Sequence, residues 1–507
     1  MMQEIKEVKA FLFAKKESLT KQVLRNSLYS FGTNLIAKVG GLIFTILIAR
    51  IFLPELFGLY SLVLSIILTI ATFTDLGINT TLSRYLSESL AKKEKEPEAR
   101  SRFRFLLRLK VILSFIISAI LFLFSSFISN FIFHKPELTA PLQIGALYLF
   151  AISIQGFFGT IFYPLRKLEH NFISEALFQI SRASLFLVFI LFYKSSVYKD
   201  VKIVFLILTI ATLISSLYYL LVLSLKYKKI FIGKIIPIEK IRIFSFLGWT
   251  IILSTSVVIF GHIDIIMLGI FAPNEFVGYY AILLSFMGAV AGLVSFGGVL
   301  LPVFTEINRE RLERGFKKII KYLAILAIPS AIGLAFVIIP IIKVIYGPEY
   351  VPEAFYIPIM ITSVILSLLV IECIFSGIYN SLFMAKEKVK IPAKVMMLAI
   401  LSNIILNYAF IKIALLYHQA FAIFAVALAT FITRYGNLIT LTNLAKKKLN
   451  VKIEEGSLSK PLIASLVMLV FLFVFDYFVT MSIFTGILMI ILAILVYFVS
   501  LSTLNKI

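Results

Sequence analysis

Residues 52–60 read Phe52-Leu53-Pro54-Glu55-Leu56-Phe57-Gly58-Leu59-Tyr60, and the chain repeats this stretch in related form in its second half. The second copy reads Phe271-Ala272-Pro273-Asn274-Glu275-Phe276-Val277-Gly278-Tyr279-Tyr280. The phenylalanine and the proline match at one constant offset, and after a slip of a single position the later glycine, tyrosine, leucine and serine positions match as well. A shorter pair follows in the same order: His134-Lys135-Pro136-Glu137 and Tyr346-Gly347-Pro348-Glu349. This many matches in the same order predict an internal duplication.

The composition is typical of an integral membrane protein. Of the 507 residues, 60% are hydrophobic and 15% are charged, and the mean hydropathy is +1.01. Soluble globular domains are typically ~45–50% apolar. Apolar runs of about 20 residues, the length that crosses a ~30 Å hydrocarbon core as a helix, recur along the whole chain. The predicted fold is all-α, with about fourteen spans at approximately 27–52, 56–79, 108–132, 141–163, 173–193, 201–225, 243–271, 276–304, 321–346, 354–382, 392–412, 417–443, 461–479 and 482–504.

The distribution of positive charge predicts the orientation of these spans. Lysine and arginine accumulate in the short cytoplasmic connections of membrane proteins. With the N-terminus assigned to the cytoplasm, 39 of the 49 lysines and arginines fall at the predicted inner face and seven at the outer face. An even number of spans then places both termini in the cytoplasm. Because the membrane explains the net charge of +23, we expect no nucleic-acid partner.

The duplication predicts two pseudo-symmetric lobes of six spans each, followed by two further spans. Parallel repeats of this kind place a binding site between the halves. The repeated turn falls on the predicted outer face, where Pro54 and Gly58 suit a tight turn and the tyrosines suit the membrane interface. The predicted parts are the amphipathic cytoplasmic segment 1–26, the N-lobe 27–225, the basic linker 226–242, the C-lobe 243–443, the basic linker 444–460 and the last two spans within 461–507.

Short motifs in both lobes point to a known family. They are Gly32, Ala49-Arg50-Ile51-Phe52-Leu53-Pro54-Glu55, Phe57-Gly58-Leu59-Tyr60, Asp75-Leu76-Gly77, Arg84-Tyr85, His262-Ile263-Asp264, Met267-Leu268-Gly269 and Gly278-Tyr279-Tyr280. Together they resemble the Wzx-type polysaccharide flippases of the multidrug/oligosaccharidyl-lipid/polysaccharide (MOP) exporter superfamily. The resemblance implies a transporter that moves a polyprenyl-pyrophosphate-linked oligosaccharide from the cytoplasmic to the outer leaflet by alternating access. It implies no cofactor other than Na⁺ or H⁺ as a coupling ion.

Basic residues at membrane depth are candidates for binding such a substrate. A charged side chain at the centre of a bilayer costs ~2.5–3.5 kcal/mol on insertion scales. Lys38, Arg182 and Arg434 fall inside predicted spans, and Arg50 falls at an outer end. We predict that they line a cationic cavity that binds pyrophosphate or acidic sugars. The alternative is that these side chains extend to the membrane surface or cap neighbouring helices.

Two acidic residues are candidates for a proton or charge partner. Asp75 begins the turn Asp75-Leu76-Gly77, where its carboxylate can instead bond nearby backbone amides. Glu372 lies deeper, in the tenth span, and three roles are open to it: pairing with Arg434, taking up a proton, or lining the cavity.

A candidate cation site in the C-lobe consists of Asp264, Asn403, Asn407 and Thr430. The two asparagines are four positions apart and share a helix face. Oxygen ligands suit a hard cation such as Na⁺. Lipid II flippases of the same superfamily have a sodium site on the corresponding three helices, although Asn407 stands where they have an acidic residue. The alternative is that these side chains form hydrogen bonds that only hold the helices together.

Two other functions agree less well with the sequence than lipid flipping does. A cation-coupled multidrug exporter of the same superfamily usually has twelve spans, whereas about fourteen are predicted here. A membrane glycosyltransferase or polymerase needs acidic residues in a large outer loop, whereas the predicted outer loops are short. The single cysteine Cys373 excludes an intrachain disulfide, and the chain has no Gly-x4-Gly-Lys-[Ser/Thr] phosphate loop. We therefore expect a transporter rather than an enzyme, in the plasma or inner membrane. Its expected partners are membrane lipids, the lipid-linked oligosaccharide, and polysaccharide polymerases or glycosyltransferases.

Overall fold

The computed structural model describes residues 19–91, 96–192, 200–228, 248–294, 304, 309–451, 456–479 and 482–506. Within these ranges every regular element is a helix, which confirms the predicted all-α class. The α-helices are α1 (Leu19–Ala71), α2 (Ile78–Ala91), α3 (Glu96–Phe127), α4 (Thr139–Thr160), α5 (Glu169–Phe192), α6 (Lys202–Lys226), α7 (Gly248–Phe271), α8 (Asn274–Val294), α9 (Arg309–Ile345), α10 (Tyr356–Ala385), α11 (Lys390–Leu415), α12 (Phe421–Leu449), α13 (Gly456–Phe478) and α14 (Ile483–Lys506).

Helix α1 is much longer than one membrane crossing and breaks at Leu53. Its 53 residues would extend about 80 Å as a straight helix, against a hydrocarbon core of ~30 Å. Leu53 has φ 59° and ψ 175°, outside the helical region, and it precedes Pro54. Proline lacks the N–H that a helix requires, and it disfavours helical geometry in the residue before it. The dipeptide Leu53-Pro54 therefore divides α1 into two crossings.

The number of spans agrees with the prediction. Thirteen helical stretches in the described part are long and apolar enough to cross a membrane. The first of them, Leu24–Thr74, contains the break at Leu53 and accounts for two of the predicted fourteen crossings. The chain is thus a multi-pass membrane protein. Its orientation stays a prediction, and most of the predicted amphipathic segment (1–18) and of the first linker (229–242) lies outside the described residues.

The chain packs as two compact units. Of the described residues, those within 1–45 and 67–251 form unit 1, and those within 46–66 and 252–507 form unit 2. The segment 46–66, which holds the first copy of the repeated turn, therefore packs with the second half of the chain. The predicted lobe limits follow the duplication rather than the packing, and they stay a prediction.

Unit 1 has an aromatic core. Phe103 of α3, Phe157 of α4 and Tyr219 of α6 are all buried in one hydrophobic cluster. The ring of Phe162, just beyond α4, stacks on Tyr219 with a centroid distance of 5.3 Å. This cluster fixes α3, α4 and α6 against one another.

In unit 2 the two copies of the repeated turn pack directly against each other. A Cβ atom on Gly58 would lie 1.8 Å from the carbonyl oxygen of Asn274, and one on Gly278 would lie 2.1 Å from the carbonyl oxygen of Pro54. The same sequence offset relates Gly58 to Gly278 and Pro54 to Asn274, so the contact is reciprocal. Each glycine is required because its partner's backbone occupies the space of a side chain.

The second repeated pair also has matching local structure. Short 3₁₀ helices form over Pro136–Leu138 and over Pro348–Tyr350, each beginning at the proline of its copy. A residue with positive φ precedes each proline closely: His134 at 54° and Gly347 at 119°. The duplication that the sequence predicts is therefore visible in the backbone.

The repeated tyrosines are buried within the protein. We expected them at the membrane interface, but Tyr60 is 6% exposed and Tyr280 is fully buried. Tyr280 donates a hydrogen bond to Asp264, so this position of the repeat serves the interior of unit 2. The sequence did not indicate this burial, because an interfacial tyrosine and a buried, hydrogen-bonded one have the same sequence signal, and the level of these tyrosines in the membrane stays a prediction.

Substituting alanine for Gly58 or Gly278 is expected to destabilise the protein. Overpacking a tight contact typically costs about 1–3 kcal/mol, and here the added methyl group meets backbone atoms rather than a movable side chain. We expect a lower thermal denaturation temperature in detergent for Gly58→Ala and for Gly278→Ala. Gly436→Ala on α12 is the control, because a Cβ atom there meets nothing within 4 Å. Equal thermal stability of all three variants would contradict the reciprocal contact.

Candidate functional site

The predicted cation-site residues come together in the interior of unit 2. Asp264 on α7, Asn403 and Asn407 on α11 and Thr430 on α12 are each 2% exposed or less. The four-residue spacing of the asparagines places both on the side of α11 that faces the other helices. The structure thus assembles the constellation, while its role in binding a cation stays a prediction.

Three hydrogen-bond donors converge on the Asp264 carboxylate. Thr430 Oγ1 donates to Oδ1 at 2.6 Å, Asn407 Nδ2 donates to Oδ1 at 3.2 Å, and Tyr280 Oη donates to Oδ2 at 2.9 Å. An ionised carboxylate only accepts hydrogen bonds, whereas a protonated one must donate its own proton. The three donors around both oxygens therefore match the hydrogen bonds that an ionised carboxylate accepts.

A second layer of side chains orients these donors. Asn403 Nδ2 donates to Thr430 Oγ1 at 3.0 Å and to Thr433 Oγ1 at 3.2 Å. Asn403 Oδ1 in turn accepts from Asn407 Nδ2 at 3.0 Å. The network therefore joins α7, α8, α11 and α12 through side chains alone.

The chemistry of these donors fits a hard monovalent cation. The described residues contain no group of three His, Cys, Asp or Glu side chains that would hold a transition metal. Asn407 Oδ1 is buried without a hydrogen-bond partner among the described residues, and turning that amide over would direct an oxygen toward Asp264. Carboxylate, amide and hydroxyl oxygens around a single negative charge match Na⁺ in ligand type and in charge.

A buried ion pair lies beside this network. Arg434 Nη1 is 3.5 Å from Glu372 Oε2, with the two side chains 15% and 4% exposed. Ser376 Oγ donates to Glu372 Oε1 at 2.5 Å, and the guanidinium lies over the ring of Phe260 at 5.0 Å. Of the three roles open to Glu372, the structure thus shows the pairing with Arg434.

The other predicted cations have different surroundings. Arg50 donates to the carbonyl oxygens of Val344 and Ile345, each at 2.5 Å, and so caps the C-terminal end of α9. For Arg50, therefore, the structure shows the alternative to cavity lining, which is capping of a neighbouring helix. In unit 1, Lys38 is exposed on α1, and Arg182 of α5 is half-buried.

Arg182 is held by its neighbours within unit 1. Its guanidinium lies over the rings of Phe44 at 4.5 Å and Phe178 at 4.9 Å, and it donates to Gln179 Oε1. Gln179 Nε2 in turn donates to Glu175 Oε1 at 2.5 Å. Aromatic stacking and a polar neighbour fix the direction of the charge.

Asp75 has the local role that its turn predicted, together with a partner that the sequence did not indicate. Its Oδ1 accepts the backbone N–H of Asn79 at 3.1 Å, and Gly77 supplies a φ of 74°. Lys110, only 1% exposed, contacts the same Oδ1 at 3.4 Å and donates to the carbonyl oxygen of Thr74 at 3.1 Å. The lysine fixes the end of the second crossing to α3.

Among the residues that sequence reasoning missed are Tyr280, Thr433, Ser376 and Lys110. Thr433 and Ser376 could have been predicted from their spacing. Thr433 lies three positions after Thr430, and Ser376 lies four positions after Glu372, on the same helix faces. Tyr280 and Lys110 meet partners on other helices, and no local pattern indicates such contacts.

Two family models match the sequence. A model described as polysaccharide biosynthesis protein matches residues 23–308, and a model described as lipid II flippase MurJ matches residues 279–498. Among curated proteins, the membrane protein MJ1068 of Methanocaldococcus jannaschii is 25% identical over 316 residues. That match covers 59% of this chain and 61% of the archaeal protein, so the chain spans less than two thirds of that relative's length.

Solved structures share the fold. A lipid II flippase MurJ in an inward closed conformation superposes with a TM-score of 0.71 at 18% identity, over 94% of this chain and 99% of that chain. An inward-facing multidrug resistance MATE transporter of the MOP superfamily gives a TM-score of 0.62 at 13% identity, over 82% and 95% of the two chains. The predicted superfamily fold is thereby confirmed.

A double-mutant cycle on Glu372 and Arg434 tests whether the ion pair holds the site together. Removing one partner leaves a buried, uncompensated charge, which typically costs about 3–5 kcal/mol. We expect Arg434→Gln and Glu372→Gln each to lower the denaturation temperature strongly, and the double variant to recover part of the loss. Lys317→Gln, which breaks the exposed pair with Glu313, is the control with little effect. Additive losses in the double variant would show that the two charges do not stabilise each other.

Proposed function

Because the chain belongs to the polysaccharide biosynthesis protein family, we propose that it transfers a polyprenyl-pyrophosphate-linked oligosaccharide from the cytoplasmic to the outer leaflet. The family match and the shared fold indicate that the protein is a membrane flippase or transporter of the MOP superfamily. Flippase families act on lipid-linked substrates within the membrane. We further propose that the substrate is this lipid-linked oligosaccharide and that Na⁺ is the coupling ion. We also propose that the protein lies in the plasma membrane with both termini in the cytoplasm.

The observation that carries the proposal is the buried Asp264 network. A carboxylate in the interior of a membrane protein is costly, and such residues usually mark ion or substrate pathways. Here four helices of unit 2 contribute side chains to one network, and the amide of Asn407 retains an unused oxygen among the described contacts. This arrangement supports a site where a bound cation changes the hydrogen bonds that hold α7, α8, α11 and α12 together.

The residues of the Asp264 network have distinct roles in the proposed ion coupling. Asp264 supplies the charge, Thr430 and Asn407 supply further oxygens, and Tyr280 holds the second carboxylate oxygen in place. Na⁺, when bound, neutralises the carboxylate. Without it, Asn407 and Thr430 donate hydrogen bonds to Asp264 instead. The same side chains thus have two sets of partners, and alternating access requires such a two-state element.

An apolar cavity in unit 2 supports a lipid-linked substrate over a water-soluble one. It has a volume of about 420 Å³, within the ~300–1,000 Å³ of ligand pockets. Its walls come from α8, α9, α13 and α14, and the lining is almost wholly apolar, with Ser330 and Tyr497 as polar members. Tyr497 Oη is already engaged with the carbonyl oxygen of Ile325 at 2.8 Å. The cavity accordingly suits a hydrocarbon chain such as part of a polyprenyl tail.

The head group needs cations, and two of the predicted basic residues lie in unit 1. A pyrophosphate cannot enter hydrocarbon without positive charge to compensate it. Arg182 presents a guanidinium oriented by two aromatic rings, and Lys38 is exposed. We assign these two residues to the head-group path, whereas Arg50 and Arg434 have structural partners within unit 2.

Leaflet transfer in reconstituted vesicles tests the proposal. With a fluorescent polyprenyl-pyrophosphate oligosaccharide, we expect transfer that is faster with a sodium gradient than with choline. Lys38→Glu reverses the charge at the head-group path and is expected to abolish transfer while the protein elutes as a folded species. Arg314→Glu, an exposed charge reversal on α9, is the control that leaves transfer unchanged.

Two outcomes would overturn the proposal. Equal rates in sodium and choline would remove the sodium coupling. Failure to transfer any polyprenyl-linked sugar, together with cation-driven efflux of a hydrophobic dye, would instead assign the protein to the multidrug exporters of the same superfamily.

A further inference from the structure

Helices α10 and α12 run in the same direction and end together. Glu372 of α10 pairs with Arg434 of α12, and Lys388, just beyond α10, donates to the carbonyl oxygen of Lys448 at 2.9 Å. The two contacts have sequence offsets that differ by only two residues, so the two helices run parallel between these contacts. Both helices end beside a group of lysines, which the charge distribution assigns to the cytoplasm.

A line of polar side chains follows this contact from the ion pair toward the helix ends. On α10, Glu372, Ser376 and Asn380 recur every fourth position and share one face. On α12, Asn437 lies three positions beyond Arg434, about 4.5 Å further along the axis. The register places Asn437 between the levels of Glu372 and Asn380.

Asn437 is the anomaly in this line. Its side chain is 3% exposed, yet neither Nδ2 nor Oδ1 has a hydrogen-bond partner among the described residues. Asn380 Oδ1 is likewise buried without a partner in the described part of the chain. A buried polar group left unpaired costs roughly 1–3 kcal/mol. Such a cost is avoided if a small ligand with both donor and acceptor capacity binds there.

We propose that Asn437, Ser376 and Asn380 form a hydrated site between α10 and α12 that conducts the coupling cation from Asp264 to the end of unit 2 where these helices terminate. Water forms hydrogen bonds with both polar atoms of the Asn437 amide. The amide oxygens of Asn437 and Asn380 and the hydroxyl oxygen of Ser376 replace part of the hydration shell of a small monovalent cation. The site deepens the proposed function and rests on it for the identity of the ion.

The charges at the inner part of the route, between Asp264 and Asn437, are compatible with a cation. Arg434 is the positive group there, and Glu372 neutralises that charge at 3.5 Å. An ionised Asp264 then makes this inner part negative, whereas the lysines that end α10 and α12 lie at the far end of the route. Along α12, Arg434 lies between Thr430 of the Asp264 network and Asn437, so a cation on this route passes the ion pair.

Thiol labelling tests the hydration of this site without any transport measurement. In a Cys373→Ser background, Asn437→Cys is treated with small cationic and anionic thiosulfonate reagents, which react with thiolates in contact with water. We expect modification of the cysteine at 437, faster with the cationic reagent, and none in Val426→Cys, a fully buried position on the same helix. Failure of Asn437→Cys to react faster than Val426→Cys overturns the proposal.

The rate of sodium exchange then distinguishes a role of Asn437 in ion movement from a purely structural role. Asn437→Leu removes the unpaired amide, so we expect it to fold with undiminished thermal stability. Its equilibrium affinity for ²²Na⁺ should equal that of the unmodified protein, while sodium exchange should slow by about tenfold, the effect of roughly 1.4 kcal/mol on a barrier. Thr440→Leu, on the exposed face of α12 one turn away, should leave exchange unchanged.

The outcomes distinguish this proposal from the proposed function. Unchanged exchange in Asn437→Leu overturns the route even if the protein transfers lipid. If the unmodified protein binds no sodium, the sodium coupling fails, and the labelling of Asn437→Cys still decides whether the hydrated site exists.

Discussion

The carboxylate of Asp264 must keep its hydrogen bonds inside a membrane protein, and the arrangement of unit 2 depends on this constraint. An isolated charge in a low-dielectric interior is far more costly than one surrounded by aligned donors. Thr430, Asn407 and Tyr280 supply those donors from three different helices. Each helix must therefore keep its register with α7, and a change at the carboxylate alters three helix contacts at once.

The reciprocal contact of the repeated turns secures one of those registers. Gly278 lies against the backbone of Pro54, and Tyr280 follows two positions later on α8. Because a side chain at Gly278 has no room, the start of α8 has little freedom to slide along its neighbour. The duplicated motif that organises the fold is thus connected, through Tyr280, to the carboxylate that we assign to ion coupling. The link between fold and function runs through only a few residues.

Much of this architecture was predictable from the sequence because membrane crossing imposes strong constraints. The length of the apolar runs predicts the spans, and Leu53-Pro54 predicts the break in α1, since proline excludes a continuous helix there. The set of Asp264, Asn403, Asn407 and Thr430 was also predictable, although its assignment depended on a resemblance to lipid II flippases.

Contacts between distant helices were not predictable in the same way. Arg50 contacts the end of α9, far along the chain. Lys110 is buried against Asp75, although its position in the sequence resembles that of the other basic residues beside a predicted inner loop. The segment 46–66 packs with the second half of the chain, a property of tertiary packing that the periodicity of the repeat does not contain. Polarity and spacing identify candidate residues, whereas partners at long sequence separation require the fold.

The proposed ion coupling requires that the Asp264 network holds a monovalent cation. Equilibrium binding of ²²Na⁺ to the purified protein measures this directly, with Asp264→Asn as the test variant and Asp476→Asn, an exposed acid on α13, as the control. We predict saturable binding at one site, retained in Asp476→Asn and lost in Asp264→Asn. Sodium binding that is absent from the unmodified protein, or that survives in Asp264→Asn, would contradict the claim.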